Sequence, residues 1–534
     1  MPGISTSSAT TTFPLSGVST IDPLLDETHL KWSTNSLAGV ALTCSFPWIY
    51  GASANWQSNY STTSEPQATQ HFGLNETYGQ ISAAKNALQA WANVANVSFI
   101  QVADTATNVG DFRFAFSSAV TGEWGWSYYP GSSASAADVW INPTFATATD
   151  WSAGSYNYNA LIHEIGHGLG LKHPGNYSGG GGNQPYLPAN LDYRTYSVMS
   201  YNDLNPWFLD PSTHKYIEVV PQTPMVYDIA AIQYIYGANK NYHTGNDTYN
   251  FDPSHPFYIA IWDAGGTDTI NVSNFSTNCT IDLTPGHYSS ILYSNQGTIA
   301  NLYTGTNNLG IAFGCIIENV MGGSGNDTII GNSAINTLII TGKKSNYTIA
   351  HSGTVFEIHD TSGTDGTDSV INVEVLQFSD KTNIITPTNS TIEYIALLYQ
   401  GALGRTPDSG GLRGWVQLAD NPSITTLGLY GLSDISGNYN SNLSIAAGFT
   451  NSTEFIAQYG RLSDTQFVTQ LYTNILDRAP DSAGLNGWLN FIRDGMTREH
   501  ALVGFAESNE AIHNASVGFV GSTGIVHDPW LFIT

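Results

Sequence analysis

The chain has 534 residues, 41% hydrophobic and 11% charged, with 16 Lys plus Arg against 42 Asp plus Glu and a net charge of −26. That length exceeds what one core can serve and implies roughly two to four domains. The acidity excludes nucleic acid and an anionic membrane as partners, because both need a basic surface; the carboxylates either form a solvated surface or bind a hard cation such as calcium.

Residues 1–36 are rich in Ser and Thr and read as a mobile N-terminal arm or propeptide-like segment. No basic stretch followed by an apolar core opens the chain, so no secretory signal peptide is expected. No run reaches about 18 apolar residues, so no membrane insertion is expected.

From 37 to 240 the chain reads as mixed α/β. "ALTCSFP" is strand-like, and Cys44 within it reads as a buried, inert thiol. Three cysteines make no disulfide framework, and the state of Cys279 and Cys315 stays open. Ile81, Ala84, Leu88, Trp91, Ala92 and Ala95 fall at helical spacing. "DFRFAF" alternates Phe112, Phe114 and Phe116, as a half-buried strand does. "DVWINP" is a further strand, while "YNALIHEIGHGLGL" and "MVYDIAAIQYIYG" read as helices.

The first of these helices carries "HEIGHGLGLKHPG", His163 to Gly175. A helix turns once in about 3.6 residues, so His163 and His167 share one face and can grip one cation. Glu164 points about 100° away, beside that cation. No helix brings His173 to the same point, so the helix must end and the chain reverse. Gly170 is placed to do this, since glycine takes the left-handed conformation without steric cost. Three imidazoles and one open position suit a catalytic zinc, with Glu164 as general base. A bare H-E-x-x-H also fits two histidines on a polar helix face, but the longer spacing makes chance a poor explanation.

Residues 241–386 change to Asn, Thr, Gly, Asp and Ile, and read as all-β with tight turns. "WDAGGTDT" offers Asp263, Gly265, Gly266 and Asp268, and "HTGND" offers His243, Gly245 and Asp247. "ENVMGGSGNDTIIGN" offers Glu318, Gly323, Gly325 and Asp327. Carboxylates and turn carbonyls are what calcium takes, although ordinary Asx and Gly turns use the same residues. "GGSGNDTII" matches the calcium-binding β-roll nonapeptide. One clear copy, followed by "INTLIITGKKSNYTI", implies a short roll.

From 387 to 520 the pattern is helical and duplicated. "LYQGALGRTPDSGGLRGW" and "LYTNILDRAPDSAGLNGW" start at Leu398 and Leu471, with Arg405 and Arg478, Pro407 and Pro480, and Trp415 and Trp488 all 73 apart. The shared residues read as staples of a helix-turn-helix unit rather than as a ligand site. Residues 521–534 end "HDPWLFIT".

The long histidine motif resembles that of the metzincin metalloproteases, serralysin branch. "YSVMSY" supplies the methionine of their Met-turn at Met199, a structural support. The resemblance makes Tyr201 a movable zinc ligand that helps to stabilise the oxyanion. Pro174 in "KHPG" is serralysin-like, and "IDPLLDETHLKWS" is similar to the start of a mature serralysin. "WGWSYYPG" resembles the edge strand that takes substrate as an added strand, through Trp124, Gly125, Trp126, Ser127 and Tyr128. The resemblance implies a multidomain protein with an α/β (α+β) catalytic domain, an all-β parallel β-roll and an all-α C-terminal domain. It implies a monomeric, secreted zinc endopeptidase with one catalytic zinc and several structural calcium ions. Polypeptide substrates, a type I secretion apparatus reading the C-terminal tail and a proteinaceous inhibitor are the partners it implies. The helical region resembles a domain of unknown function appended to bacterial extracellular proteins. The rival reading is a surface-layer or adhesion protein with a vestigial protease domain, against which the intact catalytic positions weigh. A purely structural zinc site with Tyr201 as permanent fourth ligand is a third.

Overall fold

A computed structural model describes residues 9–33, 39–47, 71–105, 108–133, 135–177, 183–386, 390–419, 445–517, 519–520, 526–527 and 531–533. The chain divides into two compact units, Met1–Ile317 and Glu318–Thr534.

In the first unit β1 (Thr10–Thr12) pairs antiparallel with β2 (Leu30–Trp32). There follow β3 (Val40–Ser45), β4 (His71–Gly73), α1 (Gln80–Val94), β5 (Val97–Gln101), β6 (Phe112–Ser117), β7 (Gly125–Ser127), β8 (Val139–Ile141) and α2 (Tyr156–Gly168). The main sheet runs β5-β3-β6-β8-β7, with β4 also on β6. Helix α1 forms because Ile81, Ala84, Leu88, Trp91 and Ala92 make one buried face. Strand β6 is buried on both faces rather than half-buried, because Arg113 pairs inside with Asp104 at 2.8 Å.

Residues 10–33 correct the expectation of a mobile arm. Leu24, Leu25 and Trp32 are buried. The Trp32 indole donates to Gly168 O at 2.7 Å, and buried Lys31 Nζ donates to Ile235 O at 2.7 Å.

The hairpin β9 (Trp207–Leu209) and β10 (Tyr216–Glu218) precedes α3 (Val226–Tyr236). Then come β11 (Thr248–Asn250), β12 (Ile259–Ile261), β13 (Thr269–Asn271), β14 (Thr280–Asp282), β15 (Tyr288–Ser289) and β16 (Leu309–Ile311). Strand β11 runs parallel to β13, and β12 to β16. Cys44, Cys279 and Cys315 are all buried, and none forms a disulfide among the described residues.

The second unit opens with β17 (Asn319–Met321), β18 (Thr328–Ile330), β19 (Thr337–Ile339), β20 (Tyr347–Ser352), β21 (Val355–Asp360), β22 (Thr367–Ile371), β23 (Val375–Gln377) and β24 (Thr382–Thr386). Parallel pairs β17–β19, β19–β23 and β18–β22 wind this segment as a roll, interrupted by the β20–β21 hairpin. "GGSGNDTII" and the next nine residues, "GNSAINTLI", each make one turn and one strand. The expectation of a single repeat is thereby corrected: the second copy hides behind Asn where the first has Gly and Asp.

Helices α4 (Ser390–Leu403), α5 (Ser409–Ala419), α6 (Ile445–Thr450) and α7 (Thr453–Tyr459) have counterparts in α8 (Asp464–Leu476), α9 (Ser482–Arg493), α10 (Arg498–Ala506) and α11 (Asn509–Val517). Their shared residues act as staples. Arg405 binds Glu454 at 2.9 Å and Arg478 binds Glu510 at 2.6 Å. Trp415 stacks on Phe449, and Trp488 on Phe505. After β25 (Phe519–Val520) and β26 (Val526–His527), β27 (Leu531–Ile533) lies parallel on β24. The rest of the proposed secretion tail lies outside the described residues.

Candidate active site

Helix α2 is capped by Ser155, whose hydroxyl accepts from Tyr158 N. It ends where Leu171 N donates to Gly166 O at 2.9 Å and Gly170 takes φ +105. The segment after the bend is braced from the N-terminal region: Asp26 N donates to Gly170 O at 3.0 Å, and Lys172 N to Leu24 O at 2.8 Å. His173 is thus returned to the helix as the sequence reading requires.

His163 Nε2 lies 3.0 Å from His173 Nε2, and His167 Nε2 lies 3.1 Å from the same atom. The other ring nitrogens are committed, His163 Nδ1 to Val198 O at 2.8 Å and His167 Nδ1 to Leu171 O at 2.7 Å. Carbonyls only accept, so each of these Nδ1 carries its proton and each Nε2 turns a lone pair toward His173. Such lone pairs repel unless a cation or a proton on His173 Nε2 sits among them, and neutral imidazoles with backbone-bonded Nδ1 are what zinc takes. The residues therefore fit the metal. Burial, then the neighbouring imidazoles, push His163 well below its usual range, and the same causes push His167 down to about 3.

Glu164 is 7% exposed, and its Oε2 has no hydrogen-bond partner among the described residues. Burial, then Glu123, raises its carboxyl to about 8, opposed by a backbone bond from Ser127. A dication among the imidazoles acts in the opposite direction. Met199 is fully buried beneath the helix. A Cβ on Gly166 would lie 2.6 Å from Met199 Sδ, so the glycine makes room for the methionine. Asp228, raised by burial to about 7, holds the methionine turn through Ser197 Oγ at 2.6 Å and Val198 N at 2.7 Å.

Tyr201 is 48% exposed, its ring 4.3 Å from the His173 ring and 4.9 Å from Tyr177, on which it stacks. A cleft of about 340 Å³ opens beside it, lined in part by Trp124, Gly125, His163, Glu164 and Tyr201. Among the described strands β7 stands at the edge of the main sheet, antiparallel to β8. Trp126 and Tyr128 pack instead on Ala115, Val120 and Trp140, and Ser127 Oγ is buried. Sequence reasoning missed Tyr156, Asn159 and Arg194 in the cleft. Asn159 and Tyr156 lie four and seven residues before His163, a helical spacing that could have found them.

Two turn pairs share one geometry. Asp247 N donates to Asp268 Oδ1 at 2.8 Å and Thr267 N to Asn246 Oδ1 at 3.0 Å. Asp327 N donates to Asp368 Oδ1 at 2.9 Å and Thr367 N to Asn326 Oδ1 at 2.8 Å. Gly323 N caps Asp327 Oδ2 at 2.7 Å. Ligand atoms of His243, Asp247 and Asp263 lie within 4.8 Å of one another. Asp263 also accepts from Gly265 N at 2.9 Å. Burial, with Asp327 and Asp365 adding like charge, raises Asp368 to about 8; crowded acids of this kind fit a calcium ion. Asp365 and Asp368 went unread in "SGTDGTDSV". Glu318 precedes β17, and that three-residue strand of about 10 Å separates it from the turn holding Gly325 and Asp327.

Residues 227–399 match the family described as Peptidase M10 serralysin C terminal, and residues 446–515 match a domain of unknown function, DUF4214. Serralysin C of Dickeya chrysanthemi is 36% identical over 302 residues, which are 53% of this chain and 60% of that protein. Metalloprotease AprA of Pseudomonas entomophila is 37% identical over 281 residues, 48% of this chain and 54% of that protein. Serralysin G of Dickeya chrysanthemi is 34% identical over 277 residues, 48% and 54% of the two chains. The chain is similar to serralysins, then, and spans 54–60% of the length of these relatives. Among the described residues no helix is long and apolar enough to cross a membrane.

Proposed function

We propose that the chain is a secreted zinc endopeptidase that cuts extended polypeptides. The observation that carries the reading is the convergence of three Nε2 atoms beside the unpartnered Oε2 of Glu164. His163, His167 and His173 would hold a zinc ion there, which would supply Lewis acidity, lowering the pKa of a water to about 7 and polarising a carbonyl. Glu164 takes a proton at Oε2 and returns it to the leaving amine. The free edge of β7 pairs with substrate backbone and sets its direction. Tyr201, exposed and stacked rather than tied down, swings to donate to the developing oxyanion.

The two turn pairs bind structural calcium, a reading that similarity to serralysins supports. Casein cleavage by the intact chain, set against the Glu164→Ala variant and zinc-free protein, tests the activity. Cleavage by zinc-loaded protein, with at least a hundredfold loss in the variant at unchanged zinc content, is the expected result. Equal activity of the variant would end the proposal.

A further inference from the structure

The roll of the second unit has two edges of opposite chemistry. One edge carries the turns 322–327 and 361–366, with Asp327, Asp365 and Asp368. The other carries 331–336 and 372–374, where the same bonds recur with different side chains. Asn332 N donates to Asn336 Oδ1 at 2.7 Å, as Gly323 N does to Asp327 Oδ2 at 2.7 Å. Asn336 N donates to Glu374 Oε2 at 2.8 Å, as Asp327 N does to Asp368 Oδ1 at 2.9 Å. Asn336 thus stands where the first edge has its aspartate. Its amide Nδ2 donates to Glu318 O at 3.3 Å and Asn332 Oδ1 at 3.2 Å, oxygens of the kind a cation would gather.

A full positive charge reaches this edge from the helical module. Arg413 of α5 is 7% exposed. Its Nε donates to Ile335 O at 2.9 Å and its Nη2 to Asn319 Oδ1 at 2.7 Å. Burial raises the Glu374 carboxyl to about 7, and the backbone bond from Asn336 and then the Arg413 charge oppose that rise. The other helical copy has Asn486 at the matching place, so this arginine is no part of the duplicated staple. Guanidinium keeps its charge when buried and donates in several fixed directions.

We propose that the second edge of the roll takes no calcium: the Asn336 amide and the Arg413 guanidinium close it, and Arg413 thereby fastens the helical module to the roll. This rests on the calcium reading of the first edge. The test is hydrogen exchange by mass spectrometry with calcium counted by native mass spectrometry on the full chain. At saturating calcium, Arg413→Met raises exchange in 331–339 at least tenfold and lowers the melting temperature of the helices. Arg413→Lys, which keeps charge but cannot span both acceptors, gives a smaller rise and serves if the methionine variant does not fold. Asn336→Asp with Arg413→Met binds one calcium more than the wild type and regains protection with it. Unchanged exchange in both Arg413 variants overturns the proposal, as does a calcium lost from the wild type on Asn336→Ala. Should calcium protect 322–330 in no variant, the first-edge reading fails while the Arg413 result still stands or falls on its own.

Discussion

At the scale of single residues, Gly166 sets two magnitudes against each other. Alanine in place of a helical glycine gains up to about 1 kcal/mol of helix propensity. Here the added Cβ would meet Met199 Sδ at 2.6 Å and Trp91 Cζ2 at 3.2 Å. Both neighbours are fully buried, and overpacking of such a core costs about 1–3 kcal/mol. The clash outweighs the propensity, so Gly166→Ala should lower the melting temperature of the zinc-loaded protein by roughly 2–4 °C. It should also reduce turnover, because Met199 follows Val198, the carbonyl on which His163 rests. Calorimetry and peptide hydrolysis measure the two effects, and a higher melting temperature would show that Met199 yields at no cost.

At the scale of elements, the decisive feature is the end of α2. Gly170 adopts φ +105, and a Cβ there would stand 3.1 Å from Leu30 O. Gly170→Ala therefore strains the backbone by about 1–2 kcal/mol and crowds β2. The strain falls on the return segment that carries His173, so zinc affinity should drop about tenfold, the equivalent of 1.4 kcal/mol. Competition with a calibrated chelator reads this directly; an affinity equal to wild type would mean that the return loop absorbs the strain elsewhere. This bend was legible in the sequence because ligand spacing and glycine placement are local. The helices α1, α2 and α3 were legible for the same reason, since periodicity is a property of adjacent residues. What was not legible depends on pairing across distance. Residues 10–33 look like a polar arm, yet the backbone bonds from Asp26 N to Gly170 O and from Lys172 N to Leu24 O fix them to the site. Arg194 comes to the cleft from a loop with no periodic signal. "GNSAINTLI" escaped notice because it repeats the hydrogen bonds of its neighbour while exchanging the residues that define the motif.

At the scale of the whole molecule, a net charge of −26 disfavours the compact state by self-repulsion, and two explanations of calcium dependence compete. Calcium could act as a general counterion, or it could fill the turns built around Asp268 in the first unit and Asp368 in the second. A site that binds only the folded form stabilises it by about 2.7 kcal/mol when the ion stands at a hundred times its dissociation constant. General screening, by contrast, is supplied by any salt and is nearly complete beyond a Debye length of about 8 Å at physiological ionic strength. Zinc-loaded protein passed into calcium-free buffer should therefore melt several degrees lower. Millimolar calcium should restore it, and sodium chloride at equal ionic strength should not. Asp268→Asn should remove part of the calcium response, Asp368→Asn another part, and the double variant nearly all of it, since the two positions belong to different units and their effects should add. Asp268→Asn also deletes one formal negative charge, so the counterion explanation expects that variant to be more stable than wild type without calcium and equally responsive to sodium. Recovery of the melting temperature by sodium chloride alone would assign the effect to the charge of the whole surface and leave the turns without their ions.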